Sequence, residues 1–279
     1  MGTGKKMREH EILDVREEIL RNVPSRRITA SILADDEGII AGISVARKEA
    51  DRLGVSLLKI LDDGSHVENG DEIIRFAGSP KQIVMAEERL VGLIAKPSGI
   101  ATNARKFVQA TGGRPKVVCG GWKKMPPLLK DMIRDAVSVG GATPRIVPAP
   151  FAYLDKNYIE LLGGIKKSLA AVAHLESYSK VVQVKGRYGD VVSEACEAAE
   201  SGADIVFIDT GNPEDVPAVA DRLVRLGLRN KVKLAFGGGV NLEDIDELKA
   251  LDLDILDIGR QIVDAPLLDM RLEIIGTET

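Results

Sequence analysis

The amino-acid sequence predicts an α/β fold with a parallel β-sheet in the second half of the chain. After Gly113, amphipathic helices alternate with apolar strands, which is typical of parallel strands joined by helices. The strands are short, continuous apolar runs, as expected when both faces of a sheet are buried. These runs are KVVCG, KVVQVKG, DIVFID, KVKLAF and DILDI. A sheet of this kind is either closed as a barrel or left open as a doubly wound sheet.

The first part of the chain has a different pattern. Short β-like runs are separated by turn signals, and a helix is predicted from Ser44 to Gly54, where a glycine ends it. A longer helix is predicted from about Pro80. We therefore predict two domains: a small α+β domain over residues 1–109, whose last helix leads into the second domain, and a barrel-like domain over residues 110–279.

Composition excludes several classes of function. The 279 residues include 38 Lys and Arg against 42 Asp and Glu, a net charge of −4, without the sustained basic run that nucleic-acid binding requires. No apolar stretch approaches the roughly 18 residues of a membrane span. The three histidines are scattered, which argues against a histidine metal cluster. With two cysteines in all, Cys119 and Cys196, we expect a protein of the reducing cytoplasm rather than a disulfide-stabilised one.

Glycines follow the last two predicted strands, where a parallel barrel carries its active groups. Gly237, Gly238 and Gly239 follow one strand, and Gly259 with Arg260 follows the next. Glycines allow backbone N–H groups to approach an anion closely, so we predict a phosphate site here. The alternative is that these glycines serve only tight turns.

Charged residues close two other predicted strands. Asp209 is suited to hold Mg²⁺ or a ribose hydroxyl, or else to cap the next helix. Lys185 is suited to pair with a phosphate or to form a Schiff base, or else is a lysine at the barrel rim. Further cations are expected at the same end of the barrel and favour a polyanionic substrate. They are Lys123, Lys124, Arg145 and Arg187.

Several segments together resemble the nicotinate-nucleotide pyrophosphorylase family, also called quinolinate phosphoribosyltransferase, from about residue 28 to 275. In chain order they are DEGIIAG, DGSHVENGDEIIRFAGSPKQIVMAEER, SGIAT, AVSVGGATPR, SGADIVFIDTG, FGGGV and DILDIGRQI. The resemblance implies an N-terminal α/β sandwich domain and an incomplete, TIM-like parallel α/β barrel. It also implies a homodimer, or a higher assembly of dimers, in which the neighbouring subunit completes each site.

The same resemblance implies an activity and roles for single residues. Family members transfer phosphoribose from phosphoribosyl pyrophosphate to quinolinate with Mg²⁺, losing carbon dioxide, in NAD biosynthesis. The implied catalytic residues are Lys123 and Asp209, with Asp209 also the metal ligand, and Lys185 is a further catalytic candidate from its place at a strand end. The implied substrate-binding residues are Arg89 (from the neighbouring subunit), Arg105 and Arg145. Lys156 is a further candidate, since it follows Asp155 and can replace the cation lost there. The 5-phosphate would be held by Gly237, Gly238, Gly239, Gly259 and Arg260.

The chain departs from the family pattern mainly where the acceptor would bind. Trp122 and Pro144 stand where the family has an arginine and a histidine, Asp155 replaces a lysine, and Lys185 replaces a glutamate. Each lost charge-assisted bond costs about 1.5–3 kcal/mol, so the dianion quinolinate should bind weakly.

We therefore predict a phosphoribosyltransferase for quinolinate or a related aromatic acid. Two alternatives remain open at this point. One is a nucleotide-binding paralogue without catalysis, and the other is a Schiff-base lyase that uses Lys185.

Overall fold

The computed structural model describes residues 14–278, which form an antiparallel sheet and a parallel sheet with helices packed against both. The strands are β1 (Arg27–Ala34), β2 (Gly38–Ile39), β3 (Ser56–Ile60), β4 (His66–Val67), β5 (Glu72–Gly78), β6 (Lys116–Val118), β7 (Phe151–Leu154), β8 (Ser179–Val184), β9 (Ile205–Ile208), β10 (Lys233–Gly237), β11 (Ile255–Asp257) and β12 (Met270–Glu278). The helices are α1 (Val15–Ile19), α2 (Ile43–Leu53), α3 (Pro80–Thr111), α4 (Lys130–Val139), α5 (Lys156–Leu162), α6 (Ile165–Ala171), α7 (Val191–Glu200), α8 (Asp215–Arg225), α9 (Ile245–Leu248) and α10 (Arg260–Val263).

The N-terminal domain is built on the antiparallel sheet, in the order β12-β1-β5-β3. Its core includes the fully buried side chains of Ile32, Ile74 and Phe76. Helices α2 and α3 pack together and cover this core. The predicted sandwich of helices on a sheet is confirmed.

The second domain is an incomplete barrel of six parallel strands, in the order β6-β11-β10-β9-β8-β7. Among the described strands β6 and β7 do not pair with each other, so the barrel stays open there. The five predicted strands correspond to β6 and β8 to β11. Strand β7 was missed because prolines at 148 and 150 precede it, and prolines usually mark a loop.

One helix joins the two domains. Helix α3 has 32 residues, begins at a capping box formed by Ser79 and Gln82, and ends at Gly112 in a left-handed conformation. Ile83 lies in the N-terminal core, whereas Phe107 lies in the barrel core. The predicted boundary at residue 109 therefore falls inside a helix that both domains share. Despite its length, neither α3 nor any other helix within residues 14–278 is apolar enough to cross a membrane.

The end of the chain returns to the N-terminal domain. Strand β12 pairs with β1 along its whole length, with Ala34 opposite Met270 and Arg27 opposite Glu278. Residues 270–278, which we assigned to the barrel, are thus the edge strand of the other sheet. The sequence pattern cannot show this, because the pairing joins residues more than 230 positions apart.

Candidate active site

A cavity of about 710 Å³ lies at the carboxyl ends of the six parallel strands. Its walls follow from the alternation of side chains along each strand. In β9, Ile205 and Phe207 face the barrel interior, and Asp209 follows at the same spacing on the cavity wall. In β11, Ile255 faces the interior and Asp257 lines the cavity. The barrel interior is thus filled by side chains, and its upper end is left open to a ligand.

The cavity wall carries an excess of positive charge, although the whole chain is acidic. Its five cations are Lys123, Lys124, Lys156, Lys185 and Arg260. Its three carboxylates are Asp155, Asp209 and Asp257. This local excess favours an anionic ligand with several charges, as predicted.

Lys185 and Asp209 form an ion pair on neighbouring strands. Lys185 Nζ lies 2.7 Å from Asp209 Oδ2 and 2.6 Å from the Asp209 carbonyl oxygen. The buried amide of Gln183 also donates to Asp209 Oδ2. Within the described residues, the other carboxylate oxygen of Asp209, Oδ1, accepts no hydrogen bond.

A buried carboxylate fixes the loop that carries Lys185. Glu194 is 4% exposed and accepts four consecutive backbone N–H groups, those of residues 185–188, two of them at 2.8 Å. A carboxylate buried in this way is stable because N–H donors surround it. The loop after β8 is therefore held in place before any ligand binds.

Glycines line one side of the cavity at the ends of β10 and β11. Gly238 and Gly239 have φ values of 117° and 107°, which favour glycine. A Cβ atom on Gly238 would lie 2.6 Å from the backbone nitrogen of Gly211, so no larger residue fits. Gly259 and Arg260 complete this side. The predicted Gly237 does not line the cavity: it is buried in β10, where a Cβ would lie 3.0 Å from the Phe207 ring.

Phe207 and Asp257 form the floor of the cavity, and Tyr153 packs against Phe207. The rings of Tyr153 and Phe207 are 6.4 Å apart, and Lys123 Nζ lies 5.5 Å from the centre of the Tyr153 ring. Asp257 accepts a hydrogen bond of 2.9 Å from the backbone N–H of Gly120. Burial raises the pKa of Asp257, and the Gly120 N–H and Lys123 oppose this rise. Burial, with Asp257 nearby, also raises the pKa of Tyr153.

Two of the residues that depart from the family pattern contact each other. Trp122 Nε1 donates to the carbonyl oxygen of Pro144 at 2.5 Å, and the Arg134 guanidinium lies 4.8 Å from the centre of the indole ring. Asp155 caps α5, since its Oδ1 accepts from the backbone of Asn157 at 2.9 Å. These side chains therefore hold the cavity wall together.

Three of the predicted substrate-binding residues do not line this cavity. Arg89 pairs with Glu49 at 3.1 Å in the N-terminal domain. Arg105 lines a different cleft and donates to the carbonyl oxygens of Val139 and Gly140 at the end of α4. Arg145 is exposed in the loop before β7. Their roles toward a substrate, including one across a subunit interface, stay predictions.

Sequence reasoning missed Gln183, Asp257 and Glu194. The signal for the first two was present: each lies two positions after an interior-facing residue of its strand and so faces the same side. Glu194 gave no such signal. Its role depends on a loop that folds back over α7.

Comparison with known proteins covers both domains. Residues 14–98 match the family described as quinolinate phosphoribosyl transferase, N-terminal domain, and residues 100–273 match its C-terminal domain. A probable nicotinate-nucleotide pyrophosphorylase (carboxylating) of Methanothermobacter thermautotrophicus is 31% identical, over 90% of this chain and 89% of the relative. The human nicotinate-nucleotide pyrophosphorylase (carboxylating) is 24% identical, over 89% and 83% of the two chains.

Solved structures share the fold. The nicotinate-nucleotide pyrophosphorylase of Pyrococcus furiosus superposes with a TM-score of 0.83 at 21% identity, covering 95% of this chain and 73% of that chain. The Francisella tularensis enzyme of the same name gives 0.79 at 22% identity, with 94% of each chain covered.

The fold and the charged cavity define a phosphoribosyltransferase built on an incomplete α/β barrel. More particularly, the chain belongs to the quinolinate phosphoribosyltransferase family. It is an enzyme of the pentosyltransferase class, of the nicotinate-nucleotide pyrophosphorylase type that serves NAD biosynthesis. The lyase and the paralogue without catalysis are not favoured. In addition, Lys185 is engaged in an ion pair, whereas a Schiff-base nucleophile must be a free amine.

Proposed function

We propose that the protein binds phosphoribosyl pyrophosphate together with Mg²⁺ and transfers its phosphoribosyl group to quinolinate or a related aromatic acid. The observation that carries this proposal is the cavity itself. It has glycines and Arg260 on one side, Asp209 with Lys185 beside them, and three further lysines around the mouth.

We propose one orientation for the donor in the cavity. We place its 5-phosphate against Gly238, Gly239, Gly259 and Arg260, where the backbone can approach an anion closely. The ribose hydroxyls then face the Asp209 carboxylate. The pyrophosphate lies toward Lys123 and its neighbour Lys124, which neutralise charge as it leaves.

The reaction requires little chemistry from the protein. The acceptor nitrogen forms a bond to ribose C1 with its lone pair, while the bond from C1 to the pyrophosphate oxygen breaks and that oxygen keeps the electron pair. With quinolinate, the carboxylate beside the nitrogen is then lost as carbon dioxide, and the ring carbon that keeps the electron pair takes a proton from solvent. The protein holds the reactants in line and stabilises the leaving anion, which are its two means of lowering the barrier.

We propose that Mg²⁺ enters the site with the substrate. Within residues 14–278, no group of three His, Cys, Asp or Glu side chains is arranged to hold a metal ion. Mg²⁺ commonly keeps several waters and binds through substrate phosphates with one or two carboxylates. The donor's pyrophosphate is therefore its main carrier in this proposal.

The acceptor half of the site suits a less charged acid better than a dicarboxylate. Trp122 and Asp155 occupy positions that are cationic in the family, and both are engaged within the protein. With Lys123 and Lys124 facing the pyrophosphate, Lys156 is the cavity cation left for the acceptor. Quinolinate should therefore bind weakly.

The test is a steady-state assay of mononucleotide formation with phosphoribosyl pyrophosphate and Mg²⁺. Quinolinate is compared with nicotinate and other aromatic acids. We expect turnover of quinolinate below about 1 s⁻¹, the low end for ordinary enzymes. The double substitution Trp122→Arg with Asp155→Lys should raise it.

Loss of the cap at Asp155 costs about 1 kcal/mol, so the stability of the double variant is measured in parallel. Fast turnover of quinolinate by the unmodified protein would show that the substitutions do not alter acceptor choice. No transfer to any acid in the panel would overturn the proposed function.

We also propose a cytoplasmic location and a homodimer. Both cysteines are free thiols in the described structure, which agrees with a reducing compartment. The dimer rests on the family resemblance and on exposed apolar side chains. The largest exposed fractions among the large apolar residues are those of Leu128 at 94% and Leu161 at 83%, and Leu161 lies on α5, which begins at the cavity-lining Lys156.

A further inference from the structure

The pairing of Lys185 with Asp209 bears on where a metal ion can bind. Asp209 Oδ2 already accepts hydrogen bonds from two nitrogens, the Lys185 ammonium and the Gln183 amide. The Lys185 ammonium also donates to the Asp209 carbonyl oxygen at 2.6 Å. Two of the three oxygens of Asp209, Oδ2 and the carbonyl oxygen, therefore already accept hydrogen bonds from Lys185, and Oδ2 also accepts one from Gln183.

The position of Lys185 is built into the fold. Glu194 holds the backbone N–H of Lys185 at 2.8 Å and those of the next three residues. The Lys185 and Asp209 side chains are 29% and 23% exposed, so the pair is partly shielded from water. Such an ion pair is less screened than one on the open surface.

We propose that the Lys185 ammonium takes the place of a divalent cation beside Asp209. Asp209 then binds the donor's ribose hydroxyls through its free Oδ1, and no metal ion binds to its carboxylate. The ribose contact rests on the proposed function, whereas the exclusion of the metal does not.

The physical basis is charge and ligand chemistry. Mg²⁺ and Mn²⁺ bind oxygen ligands at short range, and Mg²⁺ requires them in near-octahedral geometry at about 2.0–2.1 Å. A cation bound to Asp209 at that distance would stand next to the ammonium, and two positive charges so close repel each other. The ammonium supplies a positive charge of its own, with three donors for oxygen atoms.

The test measures metal binding directly, without substrate. Free Mn²⁺ is followed by electron paramagnetic resonance as it is titrated into the full-length protein. We expect the unmodified protein and Asp209→Asn to bind Mn²⁺ equally weakly. Lys185→Glu should gain one site that is at least about tenfold tighter, and the added substitution Asp209→Asn should remove it.

A matched control separates a specific site from a general change of charge. Lys124→Glu makes the same change of charge in the same cavity, but the Lys124 side chain has no contact with Asp209 among the described hydrogen bonds and ion pairs. We expect no Asp209-dependent gain from it. If Lys185→Glu does not fold, as judged by circular dichroism, Lys185→Met carries the test, since it removes the ammonium without adding a charge.

Two results would overturn the proposal. One is a Mn²⁺ site in the unmodified protein that Asp209→Asn removes. The other is a variant at position 185 that folds but binds Mn²⁺ no more tightly than the unmodified protein. Binding of phosphoribosyl pyrophosphate is measured separately by calorimetry without metal. Absence of donor binding would count against the proposed function and would leave the Mn²⁺ result as it stands.

Discussion

A charged residue at a strand end of this barrel can line the cavity and at the same time lower the stability of the fold, and Asp257 is an example. It lies at the end of β11 on the cavity floor, where burial raises its pKa. A carboxyl whose pKa is higher in the folded than in the unfolded chain holds its proton more tightly when folded. The folded state therefore loses stability as the pH rises above the ordinary value of 3.8 for this carboxyl.

This predicts that Asp257→Asn stabilises the protein at neutral pH. The amide keeps an oxygen that can accept from the Gly120 N–H, and it carries no charge. The gain in melting temperature should be clear at about pH 7 and should shrink toward about pH 4, where the native carboxyl takes up its proton. Thermal unfolding of both proteins across this range is the measurement. A constant difference between them would show that charge is not the cause.

A second prediction at this scale concerns the glycines of the phosphate site. Gly259→Ala should lower the affinity for phosphoribosyl pyrophosphate at least about tenfold, since it adds a methyl group to a glycine that lines the proposed anion site. Its Cβ would lie 3.6 Å from Gly121 Cα, an ordinary contact, so the fold should be kept. The measurement is calorimetric titration of the donor.

The comparison variant is Gly238→Ala, which should instead lower stability. Its φ of 117° and the 2.6 Å approach to the Gly211 nitrogen leave no room for a methyl group. Full donor affinity in Gly259→Ala would remove Gly259 from the phosphate site.

At the scale of elements, the segment SGIAT in helix α3 acts in packing. Ser98 Oγ accepts from the backbone N–H of Ala41 at 2.9 Å, and Thr102 Oγ1 accepts from that of Ile39 at 2.8 Å. Between them, a Cβ on Gly99 would lie only 1.8 Å from the Pro266 carbonyl oxygen. This segment therefore holds the two domains together around α3, although it is among the residues that carry the family resemblance.

We predict that Gly99→Ala destabilises the protein by about 3 kcal/mol or more. The added methyl group meets the backbone of Pro266, which lies in the segment that joins α10 to β12 and would have to move. Gly92→Ala in the same helix is the matched control. A Cβ there meets nothing within 4 Å, so the change should stabilise by about 0.5–1 kcal/mol through helix propensity. Denaturant unfolding measures both. Equal effects of the two changes would show that the close approach to Pro266 is not needed.

At the scale of the whole molecule, we expect activity to depend on formation of the proposed homodimer. The side chains of Leu128 and Leu161 are 94% and 83% exposed, and Leu161 lies on α5, which begins at the cavity-lining Lys156. Large exposed apolar side chains are candidates for burial at an interface between proteins. We expect sedimentation velocity to show a dimer at micromolar concentration.

The substitution Leu161→Glu should shift this equilibrium toward the monomer and lower activity with it, because a charge would be buried at the interface. Val224→Glu on α8 is the control, since Val224 is 59% exposed and α8, unlike α5, contributes no residue to the cavity wall. A monomer for the unmodified protein, or a dimer indifferent to Leu161→Glu, would contradict this arrangement.

The amino-acid sequence by itself determined the parallel sheet, five of its six strands and the end of the sheet where the cavity lies. These depend on local periodicity, and the alternation that buries Ile205 and Phe207 also places Asp209 on the cavity wall. Only the tertiary structure decided which groups meet: Lys185 with Asp209, Trp122 with the Pro144 carbonyl, and β12 with β1. Such contacts join residues from about 20 to more than 230 positions apart, so they depend on how helices and strands pack and not on any pattern within one segment. For that reason the sequence predicted a phosphate site, and the fold showed which cation stands beside Asp209.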